Sequence, residues 1–513
     1  MRKAKGQISI FLALVFLLVT ALIAVTLESA RASCLDYLTD RAASSAADSV
    51  FAAYDSDLLK DFGLLAVRGR RGNTLTWTAE AERYARAYLQ PADGLVRRGD
   101  RAGLASLSVR AADSIFLTED NGRIFADAVL DYMKSAGLGQ MLHDMLERIG
   151  LFDEDGAESF SGTLRNFLGS DEFSLEDILG NYGGLKDQAE DLIRAAQEAA
   201  AGGEDGAGEG GAPAEAPDLS GVSLSELLEE LKQIKNGGIL GAVTGSSAIS
   251  ALSWTDPERP SQLPAEEKNL HSGTAQADFS FDETLLLGEF LMERMSCFTE
   301  EKGSGYRYEA EYVITGKPSE REALAAVAGD LMLIRTGLNF AYLCTDGEKL
   351  AAAEALAVTV MSALAVPQLI PVFKWLLITA WAAAESIVDL RALFQGKRVA
   401  LWKSRTSWKL SALSLGDAGE DASGFSVGLG YRDYLRLLFY LKSGPGAAYR
   451  MMDVIEARER QLQSDFRLRE YMVGGALKMT AVTTTMYLQF PAFRRLSGAG
   501  FGRQYIKTAA CGY

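Results

Sequence analysis

Ile8 to Leu27 form an uninterrupted run of 20 residues without a charge. As a helix rising about 1.5 Å per residue it would span about 30 Å, the hydrocarbon thickness of a bilayer. Arg2, Lys3 and Lys5 precede the run, and no acidic residue comes before Glu28. The positive-inside rule then predicts a single-pass protein of the cell membrane, with a cytoplasmic N-terminus and the bulk of the chain extracytoplasmic. A cleaved secretory signal is the competing reading, because "ARAS" (Ala30 to Ser33) offers an A-x-A site after Ala32. The length of the run, and the charges of Glu28 and Arg31 at that site, favour a retained anchor. Beyond the run, Leu27, Ala30, Cys34, Leu38, Ala42, Ser45, Ser49 and Ala52 recur at spacings of three and four. No Pro or Gly interrupts Gln7 to Phe62, so one helix is predicted out to Gly63, roughly 80 Å long. Its small-residue stripe suits either a second helix at close approach or the helix's own domain.

Further along, "GLLAVRG" (Gly63 to Gly69) reads as a strand and Ala79 to Leu89 as a helix. Residues 103–197 read as short helices between glycine turns. Residues 198–218, "EAAAGGEDGAGEGGAPAEAPD", hold no large apolar side chain and are predicted to be a flexible linker. Ser223 to Gly238 has a Ser cap and a Gly stop, the marks of a helix. Tyr306, Tyr308, Ala310, Tyr312 and Ile314 alternate with polar residues and predict a strand; Ser319 to Cys344 predicts a helix. Ala355 to Phe373 is a second charge-free run, of 19 residues, broken by Pro367 and Pro371. Two buried helices hinged at the prolines are expected. The other reading for 355–383 is a hairpin that dips into the membrane. Tyr431 to Leu441 predicts an amphipathic helix, and the basic tail beyond Gly500 a solvated segment.

The fold class expected is α+β, mainly helical. A transmembrane helix would continue into a long pilin-like helix, followed by an extracytoplasmic domain with short antiparallel strands. The divisions are 1–27 (basic tip and transmembrane helix), 28–70 (stalk helix and first strand), 71–197 (helical, glycine-punctuated), 198–218 (linker) and 219–513 (main ectodomain).

Composition narrows the function classes. With 52 basic and 68 acidic residues the formal charge is −16, which repels phosphate backbones and argues against nucleic acid as a partner. Cys34, Cys297, Cys344 and Cys511 form no CxxC pair. A Cys297–Cys344 disulfide and free buried thiols are both open. His143 and His271 have no neighbours at metal-ligand spacing. The clusters "FDEDGAES" and "GSDEFSLED" lack the EF-hand pattern, and "GAVTGSS" lacks the Lys of a phosphate loop. Arg98-Gly99-Asp100 is an adhesive tripeptide that also arises by chance. No nucleophile elbow, zinc motif or dinucleotide fingerprint occurs. No catalytic, cofactor-binding or metal residue is expected, no cofactor, and no enzyme.

The N-terminus, "KAKG", then the apolar run, then "LESAR", resembles TadE/TadG-like proteins, the pseudopilins and pilus-associated proteins of tight-adherence (Tad) systems. It is most similar to a group of Gram-positive proteins of uncharacterised function associated with such loci. The resemblance extends to "DSVFAAYDSDLLKDFGLLAV", "EYVITGKPSEREAL", "WAAAESIVDLRALFQGKRVALWK" and "YRDYLRLLFYL…YRMMDVIEA", and so to most of the chain outside residues 70–280. It implies a non-enzymatic, membrane-anchored pilin-like or pilus-associated structural component, with the bilayer and other pilus or Tad-system proteins as partners. Prepilins carry a Glu five residues after the processed Gly; counting from Gly6, that place holds Phe11. The departure leaves open processing after Gly6 and polymerisation, and points to an accessory protein more than a major pilin. The alternatives from other classes are an anchored surface adhesion module unrelated to pili and an extracytoplasmic hydrolase.

Overall fold

The computed structural model describes residues 4–89, 104–135, 238–270 (except 242 and 245–248), 279–410 (except 303, 304 and 364–366), 428–484 (except 443 and 445) and 502–513. The 198–218 linker, the Ser223 to Gly238 helix up to residue 237, both histidines, Arg98-Gly99-Asp100 and both acidic clusters lie outside them. In chain order the main elements are α1 (Ala4–Phe51), α2 (Ser56–Phe62), β1 (Val67–Arg68), β2 (Arg70–Arg71), β3 (Thr74–Leu75), α3 (Trp77–Leu89), β4 (Leu104–Phe116) and α4 (Arg123–Ser135). There follow α5 (Phe281–Arg294), α6 (Glu309–Thr315), α7 (Glu320–Thr345), α8 (Gly347–Ala363), α9 (Ile370–Phe394), α10 (Tyr431–Lys442), α11 (Gly446–Leu462), β5 (Tyr471–Thr484) and β6 (Gly502–Gly512). The described chain is mainly helical, with an apolar N-terminal helix and antiparallel strands.

Two compact units result, and packing does not follow chain order. One comprises Met1–Tyr132, Gln262–Ala277 and Ile455–Tyr513; the other comprises Met133–Ser261 and Asp278–Val454. The first unit is built on a sheet whose central strand, β5, pairs antiparallel with β4 on one side and with β1 and β6 on the other. One face of the sheet holds Leu107, Val109, Leu477, Met479 and Ala481. That face is covered by α1 and α3 through Ala42, Ala43, Ala46, Ala47, Val50, Trp77, Ala81 and Ala85.

Several expectations are corrected here. α1 stops at Phe51 instead of running to Gly63. Asp55 ends it by starting a new helix: its carboxylate accepts the Asp57 and Leu58 amides at 3.0 and 3.1 Å and caps α2. Gly63, at φ +70°, closes α2 in the left-handed conformation. The stretch 104–116, read as helical, is a 13-residue strand. The tail beyond Gly500 is a strand as well: Lys507 Nζ lies 3.2 Å from Asp36 Oδ2 on α1, so its charge is answered by the helix it covers. Only Val67 and Arg68 of the 63–69 stretch pair as a strand.

The second unit is helical. Tyr306 to Ile314, expected as a strand, is instead mostly α6. Its alternation is real, but the polar partners Glu309 and Glu311 are fully buried. They accept the backbone amides of Ser296 and Phe298 at 2.7 and 2.9 Å, so both sides of the segment face inward. Ser319 to Cys344, expected as a helix, is α7 with Ser319 as its cap, the side chain accepting the Glu322 amide. α8 and α9 are separated by a turn at Pro367–Leu369, where the prolines place it. α9 is mostly buried only from Leu377, and Pro371 and Trp375 are exposed, so the expected two buried helices are buried only in part. All four cysteines are free thiols, which removes the Cys297–Cys344 disulfide.

Candidate functional site

The most distinctive feature is α1, which has two different environments along one continuous helix. Ile10, Phe11, Leu12, Leu14, Phe16 and Leu17 are more than 60% exposed, and bare apolar side chains continue to Leu27. An apolar surface that long is stable in lipid or under another apolar cover, not in water. Length and composition qualify it as a membrane span or a signal sequence. Glu28 and Arg31 follow, 3.3 Å apart, as the first charges beyond the run. From Ala32 the helix changes character: Ala32, Leu35, Thr39, Ala42, Ala43, Ala46, Ala47 and Val50 are buried.

This buried stripe differs from the expected one. Of Leu27, Ala30, Cys34, Leu38, Ala42, Ser45, Ser49 and Ala52, only Ala42 is buried. The same small residues recur on adjacent rows, and spacing alone does not say which row meets the sheet. Alanines there let the helix lie close against β5 and β6. Tyr505 Oη donates to the Ala32 carbonyl at 3.4 Å, and the Phe51 and Tyr513 rings meet edge to face at 5.4 Å. The "ARAS" stretch is therefore inside an unbroken, packed helix.

Two buried polar groupings mark the second unit. In the first, Arg335 on α7 and Lys403 converge on Asp389 of α9, at 2.7 Å each, and Lys403 also reaches Glu385 at 2.5 Å. Asn339, Ser386, the Tyr434 hydroxyl and the carbonyls of Ala400 and Leu401 complete the bonding. Two cations face two anions, and all four side chains are withdrawn from water. Such a set holds α7, α9 and the 400–410 segment in register; it leaves no group free for chemistry. In the second grouping, Glu311 accepts from Tyr431 Oη at 2.8 Å while its other carboxylate oxygen has no partner. Burial pushes the Glu311 carboxyl up to about 7 and the nearby Cys297 thiol up to about 11. A protonated thiol is a poor nucleophile, so Cys297 is inert packing.

In the first unit Glu459 is fully buried and neither carboxylate oxygen has a partner. Burial, then the charges of Asp55, Asp61 and Asp57, push it up to about 7. None of these acids was singled out from the sequence, where they are a few of 68. Among the described residues no group of three or more His, Cys, Asp or Glu is placed to hold a metal ion.

Residues 220–483, just over half of the chain, match the model of a family of unknown function, DUF5702, and the chain belongs to that family. The match takes in the central strand β5 but not α1, β4 or β6, its partners in the first unit. No curated protein and no solved structure is similar to the chain.

Proposed function

We propose that the chain is a non-enzymatic, membrane-anchored structural component at the cell surface, pilin-like in its first unit. Its setting in this reading is a Tad-type pilus or secretion system. One observation carries the reading: α1 is bare and apolar for the length of a bilayer, then packs on an antiparallel sheet without a break. A helix built this way couples lipid to a folded domain rigidly, which a removable leader does not need. The helix crosses the membrane with its N-terminus cytoplasmic and both units outside, following the charges of Arg2, Lys3 and Lys5. The Tad setting rests on the likeness of the "KAKG…LESAR" segment and its companions. Function then consists of helix packing in the membrane and protein contacts outside it.

The test is recovery of the full chain from native membranes in mild detergent, followed by identification of co-purifying proteins. Pilus-assembly components are expected. Their absence from a strain that makes the pilus overturns the Tad assignment. Release of the chain from membranes by alkaline carbonate overturns the anchor.

A further inference from the structure

The sheet of the first unit has a covered face and an open one. Side chains alternate along each strand, so the neighbours of Leu107, Val109, Leu477 and Met479 point away from α1. They include Ser108 and Arg110 on β4 and Lys478 and Thr480 on β5, and Ile506 and Thr508 of β6 share their face. All but the half-buried Thr480 are exposed. Arg110 stands directly opposite Lys478, and Lys478 directly opposite Thr508. Two like charges across one rung destabilise a sheet, and neither of these makes an ion pair among the described residues. Asp113, one rung on, accepts the Ser114 amide at 2.8 Å. Charge of the opposite sign lies on the flank of α1. Asp36, Asp40, Ser44 and Asp48 follow one another at intervals of four and are all exposed. Lys507 reaches Asp36 and Asp40 at 3.2 and 3.8 Å, yet both carboxylates stay more than half exposed.

We propose that the Arg110–Lys478 rung of one chain docks on the acidic flank of α1 in a second copy anchored beside it in the same membrane. The proposal rests on the reading of α1 as an anchor, because anchoring puts two copies upright at one level. Within a copy β6 runs alongside α1: Tyr505 meets Ala32, Lys507 meets Asp36, Cys511 meets Asp48 and Tyr513 meets Phe51. Thr508, across from Lys478, is next to Lys507, so the cation rung and the Asp36–Asp40 pair share one height above the bilayer. That height is about 14–20 Å beyond Leu27. Headgroups extend only about 5–8 Å past the hydrocarbon, so a lipid phosphate is out of reach and a neighbouring copy is at the right level. Two cations are too few to hold a long polyanion against a chain of charge −16. They do match two carboxylates one helical turn apart. Ser108, Thr480 and Thr508 are short enough for a helix to lie against the sheet, with Ile506 as an apolar contact. The two surfaces differ, so the contact is heterologous and repeats from copy to copy instead of closing at two.

The experiment reconstitutes the full chain into phosphatidylcholine/phosphatidylglycerol vesicles, with Cys34, Cys344 and Cys511 replaced by Ser. One chain carries Ser44→Cys and another, differently tagged, carries Ser108→Cys. A short bismaleimide is expected to join the two kinds of chain, and a chain with both substitutions should give a ladder of multimers. Arg110→Glu with Lys478→Glu on the Ser108→Cys chain should abolish the mixed product. Asp36→Lys with Asp40→Lys on the Ser44→Cys chain should then bring it back. No mixed product, from chains that still resist alkaline carbonate, overturns the docking and leaves the anchor standing. Chains stripped by carbonate overturn both. A product between Ser44→Cys chains alone means that the helices meet each other, and overturns the docking. So does a mixed product indifferent to charge reversal, which is random collision, and one lost in pure phosphatidylcholine, where lipid was holding the cations. Should the cysteine background not fold, the native chain in mild detergent serves instead. Its mass by sedimentation should be a multiple of one copy and fall to one copy with Arg110→Glu and Lys478→Glu. A native chain that sediments as one copy overturns the inference.

Discussion

Arg335 and Asp389 meet 2.7 Å apart with neither side chain exposed to water, and Asp389 simultaneously holds Lys403. Removing the shared anion leaves two buried cations on one remaining carboxylate. Asp389→Ala is therefore expected to destabilise the second unit by about 3–5 kcal/mol, whereas the exposed Arg405–Glu348 pair, broken by Glu348→Ala, should cost under about 1 kcal/mol. Urea titration of the two variants checks the contrast; equal small losses would mean the cluster is solvated.

Glu311 sets a pH dependence whose sign follows from its direction of shift. Its carboxyl is raised to about 7 by burial, so the folded protein holds a proton that the unfolded chain releases. The stabilisation is fully present below the ordinary carboxyl value of 4.5 and is lost as pH rises through about 7. Its size is about 3 kcal/mol. Glu311→Gln keeps an oxygen for the Phe298 amide and Tyr431 hydroxyl and cannot ionise. Thermal melts from pH 5 to 8 should fall less steeply for the variant than for the native chain. Glu459→Gln should flatten the curve in the same direction, for the first unit.

Gly428 lies at φ +136°, and a Cβ there would sit 2.4 Å from the Val399 carbonyl carbon and oxygen. The Val399–Leu429 bridge beside it fixes that approach. Gly428→Ala should cost more than about 2 kcal/mol, combining backbone strain with displacement of the bridge. Gly72→Ala, at φ +58° in open space, should cost about 1 kcal/mol. Chemical denaturation of the pair separates the clash from the strain.

Much of the fold is legible where one local signal decides. The apolar run, the helical period from Ser319 to Cys344 and the proline break between α8 and α9 all act within a few residues. What fails is what depends on a distant partner. β4 owes its conformation to β5, hundreds of residues away in sequence, and its Ala and Ser content is a weak strand signal. Tyr306 to Ile314 alternates for a reason other than a sheet, because Glu309 and Glu311 are buried amide acceptors. The buried charges were equally hidden: nothing in the spacing of Arg335, Asp389 and Lys403 announces a meeting. On α1 the period was readable and the phase was not.

That phase has a direct consequence. Ala46 is buried against the sheet and Ser44, two residues away, faces out. Ala46→Leu should overpack the helix–sheet contact and cost about 1–3 kcal/mol, and Ser44→Leu should leave stability unchanged. Equal tolerance at both positions would mean that α1 does not lie on the sheet.

Cys34 gives the orientation of the whole chain. It is exposed, seven residues beyond Leu27, which places its thiol about 10 Å past the end of the apolar run. In a Cys344→Ser, Cys511→Ser background the only other thiol is Cys297, which is buried and held protonated. A membrane-impermeant maleimide added to intact protoplasts should then label the chain at Cys34, and Cys34→Ser should remove the signal. The label should stay with the membrane pellet. Labelling only after lysis would place Cys34 in the cytoplasm, so the charges of Arg2, Lys3 and Lys5 would not set the topology, and a surface role would fall with it. Labelled chain recovered from the medium, beginning after Ala32, would mean that α1 is cut within its packed helix.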